Sequence, residues 1–184
     1  MSVPGITKTS QYLSFKLDEE IYAMDINNVR EVLDFTQMTK VPRMPDFMRG
    51  VINLRGGVVP VVDLRLKFGM EKTEINVDTC IIIIEVSFDS EETLLGIMVD
   101  SVQEVMSLEP DQIEPAPRIG TRLKTEFIKG MGKKDNDFII ILESRKVFSA
   151  EELAVVQVSE SEAQLLETDH PVQDGEDEEN DGDL

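Results

Sequence analysis

The stretch that most constrains the fold runs from residue 50 to residue 64, G-V-I-N-L-R-G-G-V-V-P-V-V-D-L. Its two runs of Val and Ile favour extended backbone because branching at Cβ stiffens these side chains. Gly56 and Gly57 supply positive φ for a tight turn between the runs. The stretch therefore predicts a β-hairpin with Arg55 at its tip. Pro60 cannot donate a ladder hydrogen bond, so we expect the second strand to be an edge or a bulged strand.

Similar short apolar runs recur along the chain, about 8–12 residues apart, a spacing typical of β-barrels and sandwiches. We expect a half-buried strand at 12–17, its partner at 20–25, and a strand at 79–88 that is covered on both faces. Further strands are predicted at 93–99, 101–108, 127–132 and 138–142, the first two of them in a meander. Helices are few: a short one at 63–69 and a C-terminal one opened by a capping box, Ser149 with Glu152.

The length of 184 residues allows one ordinary domain or two small ones that share a core, and 41% hydrophobic residues can fill it. No apolar run approaches the roughly 20 residues that span a bilayer, and residues 1–11 lack the hydrophobic segment of a signal peptide. We therefore expect a cytoplasmic protein with no direct membrane insertion.

The charge is strongly acidic and unevenly distributed. Of the formal net charge of −19, eight negative charges lie between residues 169 and 184, which leaves −11 on residues 1–168. An acidic body repels a phosphate backbone, so nucleic-acid binding is not expected. The residues after 167 are too polar and too charged to form a core, which predicts disorder there.

The residues that usually carry catalysis are scarce. Cys80 is the only cysteine, and we expect it to be a buried, inert thiol because it lies in the most apolar strand. The only histidine, His170, lies in the acidic tail. No Cys/His metal cluster, nucleophile triad, P-loop or dinucleotide fingerprint can be assembled, so we expect no cofactor and no metal. A carboxylate-dependent enzyme stays open, although no pair of carboxylates stands out.

Several separated motifs, in the same order, resemble the CheW family of chemotaxis coupling proteins over residues 11–158. They are the hairpin at 50–65, Asp25-Ile26 with Val29 and Glu31, the run 96–108, and I-E-P-A-P at 113–117. The resemblance implies a mainly β fold of two small five-stranded SH3-like β-barrels that share a hydrophobic core, with few short helices and one C-terminal helix. Residues 1–10 are then a flexible N-terminus. Residues 159–184 are an acidic, largely disordered tail outside the family pattern.

The resemblance also implies a non-enzymatic adaptor. Family members link the signalling tips of methyl-accepting chemoreceptors to the regulatory domain of the histidine kinase CheA, at receptor arrays on the inner face of the membrane. The implied receptor-binding residues are Val29, Glu31, Arg55, Val102 and Val105, with Glu31 and Arg55 in contact. The implied kinase-binding residues are Phe47, Met48, Arg49 and Gly50. For Phe47 and Met48, simple plugging of a barrel is an equally good interpretation.

Other functions remain as alternatives. One is a CheW-like regulatory domain detached from a kinase or from a coupling protein fused to a response regulator. The chain starts at Met1 and carries neither kinase motifs nor a receiver domain, which argues against both forms. An oligonucleotide-binding small barrel is opposed by the acidic charge.

The first prediction concerns the acidic tail. Deleting residues 169–184 should leave the melting temperature nearly unchanged, because a disordered segment adds little native packing. Thermal denaturation followed by circular dichroism measures this. A large drop would show that the tail packs on the body of the protein.

Overall fold

The apolar runs form eleven strands in the computed structural model, which describes residues 3–88, 90–116 and 125–154. The strands are β1 Ser10–Leu17, β2 Glu20–Asp25, β3 Val29–Asp34, β4 Met48–Leu54, β5 Gly57–Asp63, β6 Cys80–Phe88, β7 Glu91–Val99, β8 Ser101–Leu108, β9 Ile113–Glu114, β10 Ile128–Lys134 and β11 Asp137–Leu142. The short helices are α1 Leu64–Lys67 and α2 Ser144–Val147, with 3-10 turns at Ile26–Asn28, Pro110–Gln112 and Thr125–Phe127. Residues 150–154 are helical and end the described chain.

These strands make two sheets that exchange chain segments. A six-stranded sheet has the order β8-β1-β2-β11-β10-β9, and a five-stranded sheet has the order β3-β6-β7-β5-β4. The chain begins in the first, builds the whole of the second, and returns to the first, where β11 pairs in parallel with β2. The mainly β fold with two sheets and few short helices is confirmed. The resemblance implied five strands in each half. One sheet has six, because Ile113 and Glu114 form a short extra strand that pairs with β10.

The expected meander of β7 and β8 is wrong. β7 pairs with β6 and β5, whereas β8 crosses to the other sheet and pairs with β1, where Tyr12 faces Met106. Alternation of apolar residues identifies a strand but carries no information on its partner. The crossing at Asp100 is held by a hydrogen bond from its backbone N–H to the carbonyl oxygen of Lys16, 3.0 Å long.

Three apolar clusters fill the molecule. The largest lies between the sheets and takes residues from both, among them Phe15, Tyr22, Ile84 and Ile97. Each sheet also encloses a cluster of its own on its other face, around Ile141 in the six-stranded sheet and around Ile83 in the five-stranded one. Both sheets are therefore apolar on both faces.

This arrangement explains the burial of β1 and β6. Ile81 to Ile84 are at most 1% exposed, so the expected two-sided coverage of β6 is confirmed. The expectation that β1 is buried on one face only is wrong, because Tyr12 and Ser14 on its other face are 1% and 0% exposed. β1 lies between β8 and β2, and its Tyr12 face packs in the cluster of its own sheet.

The β4–β5 hairpin forms as predicted, with two differences. Leu54 pairs with Gly57, and the two turn residues are Arg55 at φ 51° and Gly56 at φ 85°, so Arg55 itself takes the left-handed conformation instead of Gly57. β5 is not an edge strand, since it lies between β7 and β4. Pro60 is accommodated because only Val61 to Asp63 pair with β7, and the bulge lies in the partner strand at Arg49.

A buried carboxylate fixes the end of this hairpin. Asp63 is 0% exposed and caps α1 by accepting from the backbone N–H of Arg65 at 3.0 Å. It also accepts from the backbone N–H and the hydroxyl of Thr73, at 3.0 and 2.8 Å, and from Nη1 of Arg49 at 2.8 Å. One side chain thus joins β4, β5, α1 and the following loop.

The second prediction tests this carboxylate. Asp63→Ala should lower the free energy of unfolding by about 3–5 kcal/mol, because it leaves the guanidinium of Arg49 buried without its charge partner. Urea denaturation measures the change. Asp46→Ala, an exposed carboxylate of the same region, serves as the control and should stay within about 0.5 kcal/mol of the parent protein. Equal stability of the two variants would contradict the role given to Asp63.

Candidate functional site

Arg55 and Glu31 form a bidentate ion pair on the surface. Nη1 and Nη2 of Arg55 lie 2.7 and 3.0 Å from the two carboxylate oxygens of Glu31, the geometry in which a planar guanidinium binds a carboxylate best. Glu31 lies on β3 and Arg55 at the tip of the β4–β5 hairpin, and β3 and β4 are opposite edges of the five-stranded sheet. The pair therefore bridges the two edges. A single backbone bridge, Thr39 to Val51, also connects the segment after β3 to β4.

The pair is open to solvent. The side chain of Arg55 is 74% exposed and that of Glu31 is 25% exposed. The hydrogen bonds to Glu31, followed by its charge, raise the pKa of Arg55 above its ordinary value. Exposed pairs of this kind add little to folding stability. The two hydrogen bonds orient the guanidinium, and its exposure leaves it available to a partner.

An apolar depression lies beside the pair. Its walls are Leu54, Ile83 and Leu94, together with Arg30 and the pair itself. Ile83 is a core residue of the five-stranded sheet's own cluster, and Leu94 is 38% exposed. The pair thus lies at the rim of that cluster, where its apolar side chains reach the surface.

The three valines that the resemblance implies lie on edge strands. Val102 and Val105 of β8 pair with Phe15 and Leu13, and Val29 of β3 pairs with Ile84. Side chains of directly opposite residues share a face of a sheet, and all three partners belong to the shared core. The valines therefore lie at the margin of that core, along an edge of each sheet.

A fourth valine completes this surface. Val32 pairs with Ile82 of the shared core and is 41% exposed, and Val105 is 49% exposed. We call Val29, Val32, Val102 and Val105 the valine strip. The edge strands β3 and β8 approach each other near Cys80. Cys80 pairs with Asp34 of β3, and its sulfur accepts a hydrogen bond from the backbone N–H of Val102 in β8. Val32 was not singled out in the sequence analysis. A signal was available, because side chains alternate along a strand and Val32 must therefore lie on the face opposite to Glu31 and Leu33.

The five implied receptor-binding residues therefore divide into two groups. Glu31 pairs with Ile83 and faces the five-stranded sheet's own cluster, whereas Val29 faces the shared core on the other side of β3. The structure brings Arg55 and Glu31 into contact and sets Val29 and Val32 on the opposite face of β3, while Val102 and Val105 lie on β8 of the other sheet. The result is an edge with a fixed charge on one side and exposed apolar side chains on the other.

The four implied kinase-binding residues differ in exposure. Phe47 is half-buried, whereas Met48 is only 8% exposed and packs in the shared core. For Met48 the plugging interpretation is the right one, and an exposed apolar pair is not formed. The guanidinium of Arg49 turns inward to Asp63, and its side chain is 13% exposed. Gly50 is buried at φ 149°, and a Cβ there would lie 2.6 Å from the carbonyl oxygen of Thr39.

A concave surface lies over these residues. It is lined by Lys40, Arg43, Met44, Pro45 and Asp46 in front of β4, with Met48 to Gly50 at its floor. Lys40 and Arg43 are exposed. The surface therefore combines cationic and apolar side chains on a body whose overall charge is acidic.

In residues 3–88, 90–116 and 125–154, no three His, Cys, Asp or Glu side chains come together as a metal site would require. Within the same ranges, no helix has the length and the apolar content needed to cross a bilayer.

This chain is similar to known proteins over most of its length. The family model described as CheW-like domain matches residues 11–152. Chemotaxis protein CheW of Klebsiella aerogenes is 37% identical over 152 residues, which cover 83% of this chain and 89% of that protein. Chemotaxis protein CheW of Thermotoga maritima is 31% identical over 151 residues, covering 80% of this chain and 92% of that protein.

A solved structure gives the same answer for the fold. The scaffolding protein TtCheW of Thermoanaerobacter tengcongensis superposes with a TM-score of 0.69 at 37% identity, covering 78% of this chain and 94% of that chain. These likenesses favour none of the alternatives, neither the detached regulatory domain nor the oligonucleotide-binding barrel nor the enzyme.

The expectation of a buried Cys80 is wrong in degree. Cys80 is half-buried, because it is the first residue of β6 and the fully buried part of the strand begins at Ile81. Burial is still the main reason that the pKa of the thiol is raised, with Asp34 and Asp78 adding to it and the backbone N–H of Val102 opposing it. A raised pKa keeps the thiol protonated and weakly nucleophilic at neutral pH.

The third prediction follows from this thiol. Iodoacetamide should modify Cys80 of the native protein at pH 8 without unfolding, but more slowly than in the urea-unfolded chain. The rate should still be rising at a pH where the unfolded chain's rate has levelled off, because more alkali is needed to form the native thiolate. Mass spectrometry follows the labelling. Identical pH profiles in the two states would contradict the environment described here.

Proposed function

Because the chain belongs to the CheW-like domain family, we propose that it is the adaptor that joins chemoreceptor signalling tips to the histidine kinase CheA. The family consists of non-enzymatic scaffolds of chemotaxis signalling, and the coupling role comes with membership. The observation that carries the proposal is the exposed bidentate pair of Arg55 and Glu31, with the exposed valines of β3 on the opposite face of the strand.

We propose the edge formed by β3, β8 and the hairpin tip as the receptor surface. The valine strip offers apolar side chains that water covers in the isolated protein, and their burial would drive association. An apolar ridge, such as one face of an amphipathic helix, fits such a strip. Arg55 and Glu31, on the other face of β3, supply fixed charges that select orientation more than they add affinity.

For the kinase, we propose the surface around Phe47 and the concave region in front of β4. Phe47 is the partly exposed aromatic residue there, and aromatic residues are enriched at the centres of protein interfaces. Met48, Arg49 and Gly50 would act from beneath, by holding the loop in shape through the shared core, Asp63 and Thr39. A binding test should therefore change Phe47, since a carboxylate at Met48 would unfold the domain.

We also propose where the protein acts and which residues form the adaptor domain. Residues 11–158 would form the adaptor domain, and residues 159–184 would extend from it as an acidic tail. The protein would work in the cytoplasm, at receptor arrays on the inner face of the membrane, and the receptors would hold it there.

The fourth prediction tests the ion pair. Arg55→Ala should leave the melting temperature nearly unchanged, because the guanidinium is exposed, yet weaken receptor binding and receptor control of kinase activity. Arg55→Lys should also be impaired, since lysine lacks the planar fork that binds both carboxylate oxygens. The exchange Glu31→Arg with Arg55→Glu should recover part of the loss. Reconstituted receptor–kinase assays and circular dichroism measure both effects.

The control is a similar exposed pair elsewhere. Lys133 of β10 and Glu114 of β9 lie 2.6 Å apart, with side chains 50% and 47% exposed, at the end of the six-stranded sheet that is opposite to β8. Lys133→Ala should change neither stability nor coupling. Normal coupling in the Arg55→Ala protein would remove the support for this receptor surface and leave the fold untouched.

A further inference from the structure

The ammonium group of Lys67 is surrounded by side chains from four separate segments of the chain. Nζ of Lys67, at the end of α1, lies 2.7 Å from Oε2 of Glu152, and the two side chains are only 12% and 24% exposed. Oε1 of Glu152 accepts from the backbone N–H of Ser149 at 2.9 Å, while the hydroxyl of Ser149 accepts from the backbone N–H of Glu152 at 3.1 Å. The predicted capping box is thus formed, and its carboxylate also holds Lys67.

Three aromatic rings surround the same ammonium. Nζ of Lys67 lies 5.7 Å from the ring centre of Phe47, 5.2 Å from that of Phe127 and 6.0 Å from that of Phe148. These distances are within the range in which the face of an aromatic ring attracts a cation. The rings come from the loop before β4, from the 3-10 turn that precedes β10 and from the segment after α2.

The charges of this cluster are matched at neutral pH. Burial alone raises the pKa of Glu152, but the hydrogen bonds from Lys67 and Ser149 and the charge of Lys67 outweigh it, so that the pKa is lowered. Because its pKa is lowered, the carboxylate of Glu152 is fully ionised at neutral pH and stays ionised to a lower pH than an ordinary Glu. The stability that this pair contributes is present at neutral pH and is lost only when acid protonates Glu152.

Phe47 is the member of the cluster that reaches the surface. Its carbonyl oxygen accepts from the backbone N–H of Asp63 at 2.7 Å, so its backbone is anchored to the hairpin. Its half-buried ring packs against the shared core and lies over Lys67. The ring is therefore in contact with a cation that is itself paired with Glu152.

We propose that Lys67 is a positioning residue for the kinase-facing surface, and that Glu152 and Lys67 together hold the ring of Phe47 in the orientation that binds the kinase. The C-terminal turn at 149–154 is then part of the kinase-binding machinery although it lies outside the contact surface. This inference rests on the proposed function, because it takes Phe47 as a kinase contact.

The test uses the full chain and the CheA regulatory domain from the same organism, with affinity measured by calorimetry. Lys67→Met keeps the length of the side chain and removes its charge, and Glu152→Gln keeps a polar partner and removes the negative charge. Lys67→Arg keeps a cation for both the rings and the carboxylate. Arg65→Met is the matched control: Arg65 lies on the same helix and makes a 2.8 Å ion pair with Asp100, with exposures of 18% and 23%.

Lys67→Met and Glu152→Gln should each weaken kinase binding on the order of three- to tenfold, the range that partly buried cation–π contacts support. Lys67→Arg should retain most of the affinity, and receptor binding should stay unchanged in all three. Arg65→Met should lower the melting temperature about as much as Lys67→Met does, but it should leave kinase affinity intact. In a Phe47→Leu background, Lys67→Met should have no further effect on affinity, because it acts through the ring.

The outcomes separate the two proposals. If Phe47→Leu weakens kinase binding and Lys67→Met does not, the positioning role is overturned and the kinase surface stands. If Phe47→Leu itself has no effect, the kinase surface is overturned. If Arg65→Met weakens kinase binding as much as Lys67→Met, the effect reflects general stability, and the positioning role is again overturned.

Discussion

The apolar core that the two sheets share is the constraint on which the rest of the molecule depends. It contains Leu13 and Phe15 of β1 together with Ile82 and Ile84 of β6, so neither sheet can bury its inner face without the other. The parallel pairing of β11 with β2 joins the last described strand to the first hairpin within the six-stranded sheet. Because the core ends at β3 and β8, their valines are left partly uncovered, and the exposed strip is a direct consequence of how the sheets pack.

Carboxylates around α1 connect this core to the proposed binding surfaces. The helix has only four residues, too few for helix propensity to stabilise it, and ion pairs fix it instead. Asp63 caps its first turn, Arg65 binds Asp100, and Lys67 binds Glu152. Asp100 also accepts from the backbone N–H of Asp18 at 2.7 Å, which brings the β1–β2 turn to the same place. Side chains that are individually polar thus position segments from both sheets.

The sequence predicted what depends on neighbouring residues and missed what depends on distant ones. The hairpin tip, the coverage of β6 and the capping box of Ser149 and Glu152 follow from local pattern, and all three are present. Three features depend instead on which strands lie side by side: the partner of β8, the interior position of Pro60 and the burial of Met48. The alternation of apolar residues does not predict strand neighbours. For Glu31 and Arg55, 24 residues apart, only the family motif pointed to contact. No signal pointed to Lys67, because its rings come from segments far apart in the chain.

The β4–β5 hairpin sets the distance between the two proposed partner sites. Phe47 lies just before β4 and Arg55 just after it, so eight residue steps of extended chain, at roughly 3.3 Å each, separate them by about 25 Å. β4 pairs with β5 along its length, and the bulge at Arg49 is held by the buried carboxylate of Asp63. A strand braced in this way keeps its ends at a fixed spacing and orientation. For the proposed adaptor, which would hold a receptor and a kinase in register, that rigidity would itself be the function, and it would require no catalytic group.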